Sequence, residues 1–134
     1  MTLIPSDALV VVADGGSARL FRNRGEAGAL SLHQVELREL MDMDDDGPAG
    51  SMPGESTGRQ IDEATFAKQL ALALNDGALK HQYQYLVLAA DPTTLGRMRP
   101  LLHKEVQARL LAELPKTLTN APVEDVERAL RTSS

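Results

Sequence analysis

The chain contains no cysteine, which excludes disulfides, thiolate metal sites and cysteine catalysis. Aromatic residues are nearly as scarce, with Phe21, Phe66, Tyr83 and Tyr85 the whole complement. Single-stranded nucleic acids bind on exposed rings, so a stacking platform has little to be built from. Basic residues are not in excess either. Lys and Arg number 14 against 19 Asp and Glu, a formal net charge of −5, which opposes attraction of the whole molecule to a phosphate backbone while leaving room for a local basic patch. No apolar run approaches the length of a membrane span, and the start, MTLIPSDALVVVADGG, lacks a basic leader region. The expectation is a cytoplasmic protein with no membrane partner. Catalytic signatures are missing too. His33, His81 and His103 stand far apart with no H-E-x-x-H pairing, and there is no G-x-S-x-G elbow for a serine nucleophile.

What is present is a core. The 134 residues are 43% apolar, which suits one folded domain spanning 1–134. Its organising stretch is Ala8 to Arg22, ALVVVADGGSARLFR. The continuous apolar run ending at Asp14 reads as a strand buried on both faces. Asp14-Gly15-Gly16-Ser17 reads as a tight turn whose glycines supply positive φ, and Ala18 to Arg22 as the returning antiparallel strand. Leu30 to Leu37 reads as a third strand. Its apolar residues change phase between Leu32 and Val35, which suggests a bulge near His33 and Gln34. Residues 41–60, rich in Gly, Pro, Ser and Asp, read as a long mobile loop of the kind that is functional or disordered.

After that loop, Asp62 to Asn75 reads as a helix, with Phe66, Leu70, Ala73 and Leu74 on one face and Gly77 as its stop. Tyr85 to Ala90 reads as a strand parallel to the first. Asp91-Pro92 reads as a cap and first position of a helix that buries Leu95, Met98, Leu101 and Leu102 and is broken by Pro100. His103 to Gln107 reads as a short helix and Arg109 to Leu114 as the last strand. A final helix starting at Asn120-Ala121-Pro122 buries Val123, Val126 and Leu130. The order βββαβαβα, with right-handed crossovers, gives an α/β fold: a five-stranded mixed sheet of ribonuclease H-like topology with helices packed on it.

Several residues could carry chemistry. Asp14, Glu63, Asp91 and Asp125 lie at strand ends or helix starts, where carboxylates could converge on Mg²⁺ for phosphodiester cleavage. Each also has a local explanation as a turn or cap residue. Asp42, Asp44 and Asp46, in DMDDDG, match the opening of a calcium loop, but Pro53 stands where the bidentate Glu belongs, so a solvated acidic loop is expected and no cofactor is implied. Arg19, Arg22 and Arg24 lie on one hairpin and could meet an anion or an RNA backbone, although mixed charges nearby favour a solvated face. Lys116, Thr117 and Thr119 follow the last strand, where open α/β sheets often bind ligands; Thr119 or Asn120 could instead cap the last helix.

The run VVVADGGSARLF, with EATFAKQLALAL, YLVLAADPTTLGRMR and AELPKTLTNAPVEDVERAL, resembles the bacterial family of proteins required for attachment to host cells. Thr117 stands where that family usually carries an acidic residue. More distantly, the chain is similar to the central domain of archaeal and eukaryotic peptide-chain release factors, which carries a Gly-Gly-Gln motif before its long helix. Gly58-Arg59-Gln60 occupies the corresponding stretch here, followed by Phe66-Ala67-Lys68. Arg59 replaces the second glycine and restricts the backbone conformations a glycine would permit. The first resemblance implies a non-enzymatic protein acting through a protein or ribonucleoprotein partner. The second implies a release or ribosome-rescue module that uses Gly58, Arg59 and Gln60 on a ribosome or RNA partner.

Overall fold

The structure, a computed structural model, describes residues 4–26, 29–35 and 62–132. In chain order the elements are β1 (Leu9–Ala13), β2 (Ala18–Asn23), β3 (Leu32–Val35), α1 (Glu63–Leu79), β4 (Leu86–Ala90), α2 (Pro92–Met98), a 3-10 turn (Arg99–Leu101), α3 (Lys104–Arg109), β5 (Leu110–Leu114) and α4 (Val123–Thr132). They form a five-stranded mixed sheet in the order β3-β2-β1-β4-β5. β1 runs antiparallel to β2 and parallel to β4, and β4 runs parallel to β5.

Both faces of this sheet are covered. Leu9, Val11 and Ala13 point into one apolar cluster with Leu70, Leu74 and Phe66 of α1, Leu95 and Met98 of α2, and Val106 of α3. Ala8, Val10 and Val12 point into another, closed by Val126 and Leu130 of α4. Mid-sheet position and double coverage explain the unbroken apolar run of β1. A strand with one wet face would alternate. Each of these valines is fully buried, worth about 1.5–3 kcal/mol relative to exposure.

The double coverage also corrects the reading of β3. No bulge lies at His33 or Gln34: Arg22 pairs with His33 and Phe21 with Gln34 in an unbroken register. Leu30 and Leu32 pack on the α4 side and Val35 on the α1 side, so the phase change records two covered faces. The shift in register falls instead between β4 and β5, where Leu86 pairs with Leu110 but Val87 with Ala112.

The β1–β2 turn is not built on left-handed glycines, for neither Gly15 nor Gly16 has a φ in that region. The Asp14 carboxylate closes it, accepting from the backbone N–H of Gly16 and of Ser17, both at 2.8 Å, in an Asx-type turn. α1 is also longer than expected. Asp62 caps it by accepting from the Thr65 N–H at 2.7 Å, and Gly77 is buried inside it. The stop is His81, at φ 59. The N–H of Gln82 reaches Gly77 O (2.8 Å) and that of His81 reaches Ala78 O (3.1 Å), a Schellman ending with histidine in the usual glycine place. Asp91 caps α2 through Thr94, and the helix gives way to the 3-10 turn at Pro100 as expected. Leu101 departs from its expected burial: it faces out at the end of that turn.

Candidate functional site

Parallel strands β1, β4 and β5 all end on the same side of the sheet, and open α/β sheets bind ligands at such ends. Asp14 and Asp91 leave adjacent strands one residue beyond the paired Ala13 and Ala90. Lys116 and Thr119 lie on the segment that follows β5. The fold therefore brings Asp14, Asp91, Arg19, Lys116 and Thr119 to one end of the molecule.

Asp14 is the centre of this end. Besides Gly16 and Ser17, it accepts from the Thr119 hydroxyl at 2.6 Å through its other oxygen. Thr119 is buried, so this charge-assisted bond ties the chain after β5 to the turn after β1. Burial pushes the Asp14 carboxyl up, but the hydroxyl of Thr119, the N–H groups of Gly16 and Ser17 and the Ser17 hydroxyl together hold it below its ordinary 3.8. Arg19 completes the tie. Its guanidinium donates to the carbonyls of Thr119 (3.2 Å) and Ala121 (2.7 Å) and lies over the Phe21 ring at 5.0 Å. Thr119 thus acts as a cross-strand fastener, and the capping role considered for it is not the one it plays. Lys116 is exposed, with its backbone N–H on Leu114 O.

Asp91 turns to its own helix, accepting from the N–H of Thr94 (3.1 Å) and from its hydroxyl (2.7 Å). Both carboxylates are thus engaged in the local bonds that a turn and a cap require. Among the described residues, no group of three or more His, Asp and Glu gathers closely enough to hold a metal ion. Asp125 pairs with Arg128 in the first turn of α4.

α1 enters the fold at this same end. The Glu63 side chain lies over Gly15, where an added Cβ would stand 2.6 Å from its Cδ, and it pairs with Arg97 of α2 at 3.1 Å. The first residues of α1 therefore lie at the strand ends that carry Asp14. Gly58, Arg59 and Gln60, and Asp42, Asp44 and Asp46, lie outside the described residues.

Sequence reasoning missed three residues at the other end of the sheet. Asn23 is completely buried. Its Nδ2 donates to Ile4 O (2.9 Å) and Pro5 O (3.1 Å), and its Oδ1 accepts from Gly25 (2.9 Å) and Ser31 (3.0 Å). The Arg24-Gly25 turn signal beside it was the available hint. Asp7 and His81 are the two non-glycine residues with positive φ among the described ones, at 71 and 59. Asp and His are among the non-glycine residues that adopt this state most often, which was the available hint.

Among the described residues, no helix is long and apolar enough to cross a membrane. A model of the family described as bacterial archaeo-eukaryotic release factor family 12 matches residues 7–130. The comparison with curated proteins gives no match. Among solved structures, the chain is similar to Dom34 of S. cerevisiae, a translation termination-like factor involved in RNA quality control pathways and interacting with Hbs1. Identity is 12% and the TM-score 0.44, over 96% of this chain and 33% of that one. The chain spans about a third of the length of that protein.

Proposed function

Because the chain belongs to bacterial archaeo-eukaryotic release factor family 12, we propose that it works in translation, as a ribosome-associated module of the release or rescue type with Gln60 at the reacting ester. The family match over residues 7–130 carries this reading, since it takes in Gly58-Arg59-Gln60 together with the helix that follows. The position of α1 supports it. Asp62 and Glu63 fix the start of that helix against Gly15, and Gln60 is two residues before the cap in the chain.

The reaction is hydrolysis of peptidyl-tRNA. A water oxygen bonds to the ester carbonyl carbon, the bond from that carbon to the terminal ribose oxygen breaks, and a water proton passes to that ribose oxygen, which leaves as a hydroxyl. Gln60 would orient that water and the carbonyl through its amide groups, a positioning role that needs no titratable side chain. Arg59 narrows the backbone conformations open to the motif relative to glycine.

The test is pelleting with bacterial ribosomes at low salt, combined with release of labelled peptide from peptidyl-tRNA. The expected result is co-sedimentation together with release. Gln60→Ala should cut release by roughly tenfold or more and leave co-sedimentation intact, and Arg59→Gly should raise release. No co-sedimentation at low salt overturns the reading. Co-sedimentation with no release, or release indifferent to Gln60→Ala, would instead favour a partner-binding protein without chemistry, the role implied by the resemblance to attachment proteins.

A further inference from the structure

A polar cleft of about 360 Å³ opens at the N-terminal ends of β1 and β4. Asp7, Arg22, His81, Gln82, Gln84 and Tyr85 line it. α1 has 17 residues, so about 25 Å of helix separates this cleft from Glu63 and the opposite strand ends.

The two strained residues of the described chain, Asp7 and His81, both line this cleft. Positive φ is uncommon outside glycine, although Asp and His adopt it more readily than most side chains, and residues held there occur at turns and at ligand sites. Each is fixed in place. The Asp7 N–H donates to Asn23 O at 2.6 Å, and His81 ends α1 as described. Arg22 bridges the two turns, donating to Asp7 O (3.0 Å) and Gln82 O (2.5 Å). Ion pairs surround the cleft. Arg24 pairs with Asp7 at 3.2 Å. Arg109 pairs with Glu105 at 2.8 Å and approaches His81 Nδ1 at 3.4 Å. Lys80 and Asp76 balance each other. Of the lining residues, Arg22 carries the positive charge, in a chain of net charge −5.

A lone phosphate would not fill such a space, and the remaining lining is suited to a base. Tyr85 is 42% exposed, a ring free on the surface of a chain that has few. Gln84 beside it is exposed, and its amide both donates and accepts, as a base edge does. The Asp7 carboxylate accepts hydrogen bonds, which suits a ribose 2′-hydroxyl and has no counterpart in deoxyribose.

From the juxtaposition of Tyr85, Arg22 and the strained His81 and Asp7, we propose that this cleft takes one unpaired nucleotide of an RNA strand. The base stacks on Tyr85, the phosphate lies toward Arg22 and His81, and the 2′-hydroxyl donates to Asp7. The proposal does not depend on the role of Gln60.

The experiment is fluorescence anisotropy of a labelled single-stranded oligoadenylate at low salt, with the matching DNA strand and AMP as competitors and thermal melts of every variant. The RNA strand should bind more tightly than DNA. Tyr85→Ala should weaken binding roughly tenfold, the scale of one lost stacked base, without changing the melt. His81→Gly should weaken binding while raising the melting temperature, a combination that damage to the fold cannot produce. Gln60→Ala should bind as the wild type does. Wild-type affinity in both Tyr85→Ala and His81→Gly overturns the proposal. AMP competing as well as the strand assigns the cleft to a free nucleotide and also overturns it, as does loss of binding in Gln60→Ala.

Discussion

At the C-terminal ends of the parallel strands, the Asp14 carboxylate meets the Thr119 hydroxyl, Arg19 holds the carbonyls of Thr119 and Ala121, and Asp91 caps its own helix, so turns far apart in sequence are joined. At the N-terminal ends, Asn23 and Arg22 hold backbone, and beside them Asp7 and His81 sit at positive φ. The first end is relaxed and satisfied by its own bonds. The second is strained around a cleft. The end where an open α/β sheet is expected to bind ligands is here the one whose carboxylates have local work, a reminder that position in a fold suggests a site and chemistry must supply it.

The sharpest way to break the comparison is to remove the frame of the strained end. Asn23→Ala leaves the Ile4 and Pro5 carbonyls and the Gly25 and Ser31 N–H groups without their partner. Urea denaturation should show a loss of roughly 3 kcal/mol or more, since each buried unsatisfied group costs on the order of 1–3 kcal/mol. If the loss were small, water would be serving these groups and the end would be looser than the geometry implies.

At the relaxed end, Thr119→Val removes one hydroxyl at nearly constant shape. The expected cost is about 1–2 kcal/mol, measured in the same way, and the Asp14 carboxyl should titrate nearer its ordinary value by NMR. The pH dependence follows from the direction of the shift. Asp14 is held below 3.8 when folded, so its stabilisation is complete well above 3.8 and is lost as pH falls through the lowered folded value. In Thr119→Val that acid-side loss should shrink.

A smaller effect of opposite sign should come from His81→Gly, which relieves the left-handed position and should stabilise the protein by about 1 kcal/mol in thermal melts. No gain would mean that the turn is unstrained and would remove the contrast between the ends. The smallest effect is expected for Arg97→Ala. Its pair with Glu63 is solvent-exposed, so stability should change by no more than about 0.5 kcal/mol, and a larger loss would show that α1 is anchored at the relaxed end by charge.

The strands and helices were legible because each rests on a local signal: the valine run of β1, the cap Asp91-Pro92, the spacing of Phe66 and Leu70. The five-stranded mixed sheet followed from their order. Errors arose where a local pattern had a tertiary cause. The phase change in β3 came from two covered faces, and α1 ran past Gly77 because the closing bonds, not the glycine, set its end. At the candidate site, Asp14 was legible as a turn residue. Its bond to Thr119 was not, because 105 residues separate the two and only the parallel crossovers bring them together. Asn23 and His81 were invisible for a similar reason: burial and φ belong to the fold.

The edge of the sheet at β3 has one more property. Leu32 does not pair its backbone N–H within the sheet; that N–H donates to the Glu127 carboxylate of α4 at 2.7 Å. An outward N–H on an edge strand is a template for another chain, and here an acidic side chain occupies it. The last helix therefore occupies one edge N–H as well as covering one face of the core. A chain shortened before Glu127 should free the Leu32 N–H and lose Leu130 from the apolar face beside it, which favours pairing with another strand.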